Sequence, residues 1–329
     1  MKKFLRSIDF WDLLLATACL AIFLYAAIFV PNFVSSFNLS QLAASASEKA
    51  LLILPMTLLI ITREIDLSIA SMLALTSVVF GLLVQAGVPT LAAIALTLVA
   101  GGLLGTFNGY LVSGLGLQSL VVTLGTMALY RGIGYILLGT GSVNILPPAV
   151  VDFGINNLPG TEIPWTIVPF LVLAPVFAVV LQKTPTGKRI YALGGSPEVA
   201  RYSGINTLRI VLNLFFVSGI VAAIAGIVYT ARLSNARANN ALGMELDVIT
   251  IVLLGGVSVF GGKGRLTGVM LALVLIAIIR NVLALNQIGG DAQGMIIGML
   301  LIGSLIVGNY WRSAQELLSR SRAMRETKG

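Results

Sequence analysis

The chain has 329 residues, of which 57% are hydrophobic and 10% charged, with a net charge of +8 and a mean hydropathy of +0.97. Soluble domains carry about 25% charged residues, so this composition excludes a water-soluble fold and defines an integral membrane protein. Histidine is absent and the one cysteine, Cys19, lies inside the first apolar run, which removes the commonest general base, the commonest zinc ligand and any intrachain disulfide.

The sequence therefore points to no enzyme, no catalytic residue and no metal site. The basic residues sit at the ends of apolar segments rather than along one face, so they read as topology signals and not as a nucleic-acid surface. The first apolar run, Leu13 to Val30, is not a cleaved leader: Asp9 and Asp12 interrupt its approach, and it is long enough to span about 27 Å at 1.5 Å per residue.

Ten apolar segments follow in order: Leu13 to Val30, Ala50 to Thr62, Leu67 to Val84, Leu91 to Leu111, Leu120 to Leu138, Trp165 to Leu181, Ile210 to Ala231, Val248 to Phe260, Leu266 to Leu285 and Met295 to Tyr310. The second and eighth, at about 13 residues, are too short to cross a bilayer unaided, so each is either extended by its flanks or shielded as a half-helix. With the N-terminus in the cytoplasm, 16 of the 21 Lys and Arg residues fall inside; Lys49, Arg131, Arg232, Arg237 and Arg280 are the other five. That partition satisfies the positive-inside rule, and an even number of spans returns the basic tail from Arg312 to the cytoplasm. Residues 139–164, with four prolines and no Lys or Arg, read as an ordered periplasmic loop or short helix.

The predicted fold is an all-α polytopic membrane protein of about ten transmembrane helices in two inverted-topology halves. Residues 1–181 hold spans 1–6, 182–209 a cytoplasmic loop, 210–311 spans 7–10, and 312–329 the basic tail. The repeat is carried by Glu64-Ile65-Asp66-Leu67 after the second span and Glu245-Leu246-Asp247-Val248 after the seventh, with Asn108 and Asn281 downstream. An offset of five spans places the two motifs near opposite faces, which is the signature of a transport path between two half-domains. These six polar residues, Glu64, Asp66, Asn108, Glu245, Asp247 and Asn281, are the candidate path or gate, although the acids also suit the positive ends of the helices they precede. Arg131 and Arg280, inside apolar spans, should snorkel or meet an acid. The glycine runs 101–109 and 255–264 favour close helix packing.

Between the sixth and seventh spans, Thr184 to Ile205 is polar and carries helix punctuation: Ser196 as N-cap, Pro197 at the first helical position, Glu198 at the positive dipole end and Gly204 for a left-handed closure. A helix of two turns is marginal by itself and needs a docking surface. The stretch around Gly262-Lys263 is not a phosphate loop, because Val257 stands where a glycine belongs and Gly264 where Ser or Thr belongs.

Glu64-Ile-Asp-Leu-Ser-Ile-Ala, Val122-Thr-Leu-Gly-Thr-Met with Arg131-Gly132, Tyr191 to Ile205, and Leu254 to Gly264 together resemble the permease subunits of bacterial ABC importers for monosaccharides, over about residues 40 to 310. The resemblance implies a second or sister permease, a cytoplasmic ATPase with two nucleotide-binding modules that holds Mg-ATP, a periplasmic sugar-binding protein, an inner-membrane setting within lipid, and no cofactor on this chain. It makes Gly194, Gly195, Pro197, Glu198, Ala200, Arg201 and Gly204 the ATPase-coupling residues. Arg63-Glu64, in place of a glycine before Ile-Asp-Leu-Ser, is more like the rhamnose-type members, with ribose and the quorum-sensing autoinducer still open. The alternative is an ion-coupled secondary sugar transporter with its acids in a midplane ion site; the lack of His and the peripheral acids weigh against it. A purely structural scaffold would need neither the repeat nor the capped helix.

Overall fold

The computed structural model describes residues 10–300, 302 and 303. The basic residues Lys2, Lys3 and Arg6, the tail from Arg312, and the end of the last apolar segment lie outside the described residues. The helices are α1 (Phe10–Phe29), α2 (Ser36–Ile61), α3 (Ile69–Gln85), α4 (Thr90–Gly109, closed by a π turn at Tyr110–Gly114), α5 (Ser119–Leu138), α6 (Pro148–Ile155), α7 (Val168–Lys183), α8 (Pro185–Gly195), α9 (Pro197–Tyr202), α10 (Thr207–Leu233), α11 (Met244–Leu254) and α12 (Leu266–Leu285). A further helix runs from 290 to 300. Among the described residues there is no strand, only two isolated bridges.

Among the described residues, seven helices are long and apolar enough to cross a membrane, and α3 is a shorter apolar helix. Of the two outcomes expected for the short second segment, extension by its flank is the one found: α2 has 26 residues, and the Ser35 hydroxyl caps it by accepting the amide of Asn38 at 3.3 Å. Its first half carries Ser40, Gln41, Ser47, Glu48 and Lys49, which hid it from a hydropathy reading. The eighth segment does stay short, with 11 residues in α11, and Val257 to Phe260 belong to a loop rather than to the helix.

Residues 50–62 are buried without interruption, as befits a helix that is apolar all round and sits at the centre. In lipid there is no hydrophobic force between helices, so close van der Waals contact must hold them. Glycines provide it: a Cβ on Gly101 or Gly105 of α4 would collide with the α10 backbone at Gly219 or Phe215, and one on Gly255 with α12 at Gly268 and Val269. The tight-packing expectation for these glycines holds. Polar contacts add to it, since Ser77 and Thr230 share a hydrogen bond at 2.6 Å between α3 and α10.

The packing is exchanged between the halves of the sequence. Helices α3 and α4 lean on α10, whereas α11 and α12 lean on α2.

Candidate functional site

The polar segment after α7 forms two helices where the sequence reading expected one. Thr184 caps α8 by accepting the amide of Gly187, with Pro185 in the first turn, and Ser196 caps α9 in the same way on Val199. The missed α8 obeys the same Thr-Pro rule as the Ser196-Pro197 start that was read correctly. Gly204 closes α9 at φ +78°, with the amide of Ile205 donating to the carbonyl of Ala200 at 3.1 Å.

The presenting face of α9 differs from expectation. Ala200 is 2% exposed and packs inward, so it supplies no contact face, while Val199 and Tyr202, each next to a charged residue, Glu198 or Arg201, are 63% and 93% exposed. The two form a large exposed apolar pair beside two opposite charges. Sequence reasoning passed over both residues because a two-turn helix gives too few positions to assign its faces.

The α8–α9 junction is tied to the end of α2. Arg63, in a left-handed conformation at φ +71°, donates from Nε to the carbonyl of Gly194 and from a terminal nitrogen to that of Gly195, both at 2.7 Å. A guanidinium on the last carbonyls of a helix also meets the negative end of its dipole. The amide of Gly262 donates to the carbonyl of Ile61 at 2.8 Å, and the Tyr191 hydroxyl to that of Gly264 at 2.8 Å. Three segments therefore meet at one point: the end of α2, the α8–α9 corner and the glycine loop, which takes positive φ at Gly261 and Gly262. Trp11 at the start of α1 joins them by donating to the carbonyl of Leu254 at 2.9 Å.

The first acid motif is closed and satisfied. Asp66 is fully buried; its Oδ1 accepts from the amide and hydroxyl of Ser68 at 3.0 and 2.6 Å, and its Oδ2 from the Ser218 hydroxyl of α10 at 2.9 Å. Asn108 donates to Ser68 at 2.7 Å and accepts from the Tyr130 hydroxyl at 3.0 Å. The chain Tyr130–Asn108–Ser68–Asp66–Ser218 thus joins α5, α4, the start of α3 and α10. Asp66 organises the turn into α3 through Ser68, which is itself the N-cap residue, and accepts from no first-turn amide of the helix. Glu64, in the turn between α2 and α3, is partly buried, and burial pushes its carboxyl above the usual range against an opposing hydrogen bond with Ser119.

The second motif is ionic. Asp247, in the first turn of α11, pairs with Lys49 of α2 at 2.8 Å and with Arg280 of α12 at 2.6 Å. Arg280 meets an acid as expected, whereas Arg131 instead donates to the backbone carbonyls of Ala238 and Asn240 at 2.8 and 2.6 Å. Glu245 lies one residue pair before Asp247 with Oε2 buried and unpartnered among the described residues. Asn281 makes a reciprocal amide pair with Asn38 of α2, both bonds at 2.9 Å, well apart in the sequence from the Asn108 network. One buried acid was missed: Glu48, 0% exposed, pairs with Arg232 of α10 at 2.7 Å. Adjacent charges at Glu48-Lys49 directly before a long apolar run were its signal. Among the described residues no cluster of three or more His, Cys, Asp or Glu is placed to hold a metal ion.

Long apolar helices locked by glycine contacts and polar networks define a polytopic α-helical membrane protein. The chain belongs to the family of branched-chain amino acid transport system / permease components, whose pattern matches residues 38–305. It is similar to the ribose import permease protein RbsC of Haemophilus influenzae, 33% identical over 287 residues that cover 85% of this chain and 87% of that protein. It is similar also to the L-arabinose transport system permease protein AraH of Escherichia coli (strain K12), 31% identical over 314 residues, 95% and 94% of the two chains. With the D-allose transport system permease protein AlsC of the same strain it shares 34% identity over 299 residues, 90% and 91% of the two chains. No solved structure matches the chain. The resemblance to sugar-importer permeases drawn from the four motifs is thereby shown.

Proposed function

We propose that this protein is the membrane-spanning permease subunit of an ATP-driven importer that moves an uncharged monosaccharide into the cytoplasm. The observation that carries it is the α8–α9 segment: a docking face at Val199 and Tyr202, rigidly joined through Arg63 to the buried central helix α2. A soluble ATPase seated on that face can move α2 and the glycine loop together. Relatives named for ribose, arabinose and allose support a monosaccharide as cargo.

We further infer ten spans in two inverted halves, with both termini in the cytoplasm and the protein in the bacterial inner membrane. The exchanged packing of α3 and α4 on α10, and of α11 and α12 on α2, supports the repeat. So does the pairing of each motif acid with a helix of the other half, Asp66 with Ser218 of α10 and Asp247 with Lys49 of α2. A second permease copy or sister subunit, an ATPase with two nucleotide-binding modules carrying Mg-ATP, and a periplasmic sugar-binding protein complete the assembly. The occupied state of both acids weighs against the ion-coupled alternative, since Asp66 has three hydrogen-bond donors and Asp247 two cations. Arg63 is committed to the junction with α8, so its presence is accounted for by that clamp and gives no geometric support to rhamnose over ribose, arabinose or allose. Purification from the native membrane tests the proposal: an ATPase should co-purify, and its hydrolysis should rise with sugar-loaded binding protein. Solute uptake driven by an ion gradient with no ATPase present would overturn it.

A further inference from the structure

We propose that the glycine loop between α11 and α12 is a second anchor for the cytoplasmic ATPase, with Phe260 at its tip. The proposal rests on the importer function above and adds to it a contact site and the chemistry of the partner's surface. Tyr202 and Phe260, 93% and 82% exposed, are the two most exposed aromatic residues among the described residues. They are far apart in the sequence, yet both stand beside the junction where α2, the α8–α9 corner and the glycine loop meet.

The loop is built to present its tip. The amide of Gly261 donates to the carbonyl of Ser258 at 2.9 Å, which closes a β-turn with Val259 and Phe260 as its central pair. Behind it, the amide of Ser258 donates to the carbonyl of Lys263 at 3.0 Å. Such a turn favours Gly, Pro, Asn, Asp or Ser, so two large apolar residues contribute nothing to it, and Phe260 lies almost wholly outside the core. The base of the loop is fixed: the amide of Gly262 holds the carbonyl of Ile61, and a Cβ on Gly262 would come within 2.8 Å of the Gly195 backbone. An apolar tip on a fixed base can bind without the ordering cost of a mobile loop.

The occupant follows from place and charge. Helix α2 is central and is buried without interruption over residues 50–62, so a loop tied to its end projects from the middle of the bundle's inner end. Aromatic residues that meet lipid headgroups lie instead at the perimeter. The partner is therefore a soluble protein. Lys188, Arg189, Arg201 and Lys263 are exposed on the α8–α9 segment and the loop, where Glu198 is the one acid, so the surface that fits has apolar sockets rimmed by acids. The site is continuous with the α9 face: Phe260 is two residues from Gly262 and Val199 four from Gly195, so at no more than about 3.6 Å per residue the two lie within ~26 Å. One standard interface, about 800 Å² per partner and hence ~30 Å across, covers both. An ATPase seated on α9 would thereby hold the α11–α12 loop directly, besides reaching it through Arg63.

The test uses the full-length permease in nanodiscs, carrying Cys19→Ser, with the ATPase that co-purifies from the native membrane added back. Reporter chains carry Val259→Cys, Ser203→Cys beside Tyr202, or Ala86→Cys at the exposed outer end of α3, and labelling by an impermeant maleimide is timed. Residues 203 and 259 should label readily alone and roughly tenfold more slowly with ATPase at about ten times its Kd, with no change at residue 86. Phe260→Asp should weaken ATPase binding by about tenfold or more and Phe260→Leu far less, while neither shifts the Tm. Labelling of residue 259 that is slow without ATPase, as for a tip sunk in lipid, would overturn the second anchor. So would labelling there that ATPase leaves unchanged, or wild-type affinity in Phe260→Asp. Protection at residue 203 with none at 259 loses this anchor alone, whereas failure of any ATPase to co-purify removes the importer function itself.

Discussion

Arg63 donates to the carbonyl of Gly194 at 2.7 Å across 131 residues of chain, joining the end of α2, the most buried of the candidate spans, to the corner between α8 and α9. The tie is a stiff one, because the bond is short, charge-assisted and doubled by a second bond to Gly195.

Removing it should separate hydrolysis from transport. With Arg63→Ala, the ATPase should still co-purify, yet the sugar moved per ATP hydrolysed should fall about tenfold, matching the ~1–2 kcal/mol expected of two partly solvated charge-assisted bonds. Arg63→Lys, which keeps the charge and loses the fork, should restore part of the ratio. Reconstituted proteoliposomes give both rates at once, and an unchanged ratio in the alanine variant would remove Arg63 from the coupling path.

Gly194 and Gly195 should respond oppositely to the same methyl group. A Cβ on Gly194 would run into the carbonyl oxygen of Ile61 and the amide of Gly262, whereas nothing lies within 4 Å of one on Gly195. Gly194→Ala should therefore cost about 3 kcal/mol, seen as a lowered Tm in detergent, and Gly195→Ala should leave the Tm near wild type. Equal Tm values for the two variants would contradict the close approach of α2, α8 and the glycine loop.

The exposed pair on α9 should carry partner affinity rather than stability. Val199→Asp and Tyr202→Asp change residues that are 63% and 93% exposed, so the Tm should hold within the ~0.5 kcal/mol range of surface substitutions. Retention of the ATPase through size-exclusion chromatography should drop sharply in both. Full retention would place the docking face elsewhere.

Asp247 holds two cations, so neutralising it should leave both without a counter-charge. Asp247→Asn is expected to destabilise the protein by about 3 kcal/mol or more, as for a broken, largely buried pair. Adding Lys49→Met should recover part of the loss, because one of the stranded charges is then gone. A double-mutant cycle on thermal unfolding reads this directly; additive losses would show that the Lys49–Asp247 contact contributes nothing.

Composition and local pattern alone determined that this is a many-helix membrane protein, that Ser196, Pro197 and Gly204 bound a short polar helix, and that four motifs tie the chain to sugar-importer permeases. Those features depend on a residue and its near neighbours, and capping or hydropathy acts within one turn or one span. Tertiary structure decided which groups touch. Glu48 and Lys49 look like a polar interruption in the sequence, yet α2 runs unbroken through them because Arg232 and Asp247 arrive from distant helices to neutralise them. Ala200 and Val199 are adjacent and equally suited to a contact face, and only packing against the bundle turned one inward and the other out. Arg63 gained its role in the same way: the sequence shows a charge at the end of an apolar run, while the fold sets two helix-terminal carbonyls in front of it, and in a low-dielectric bundle an unpaired polar group is too costly to leave alone.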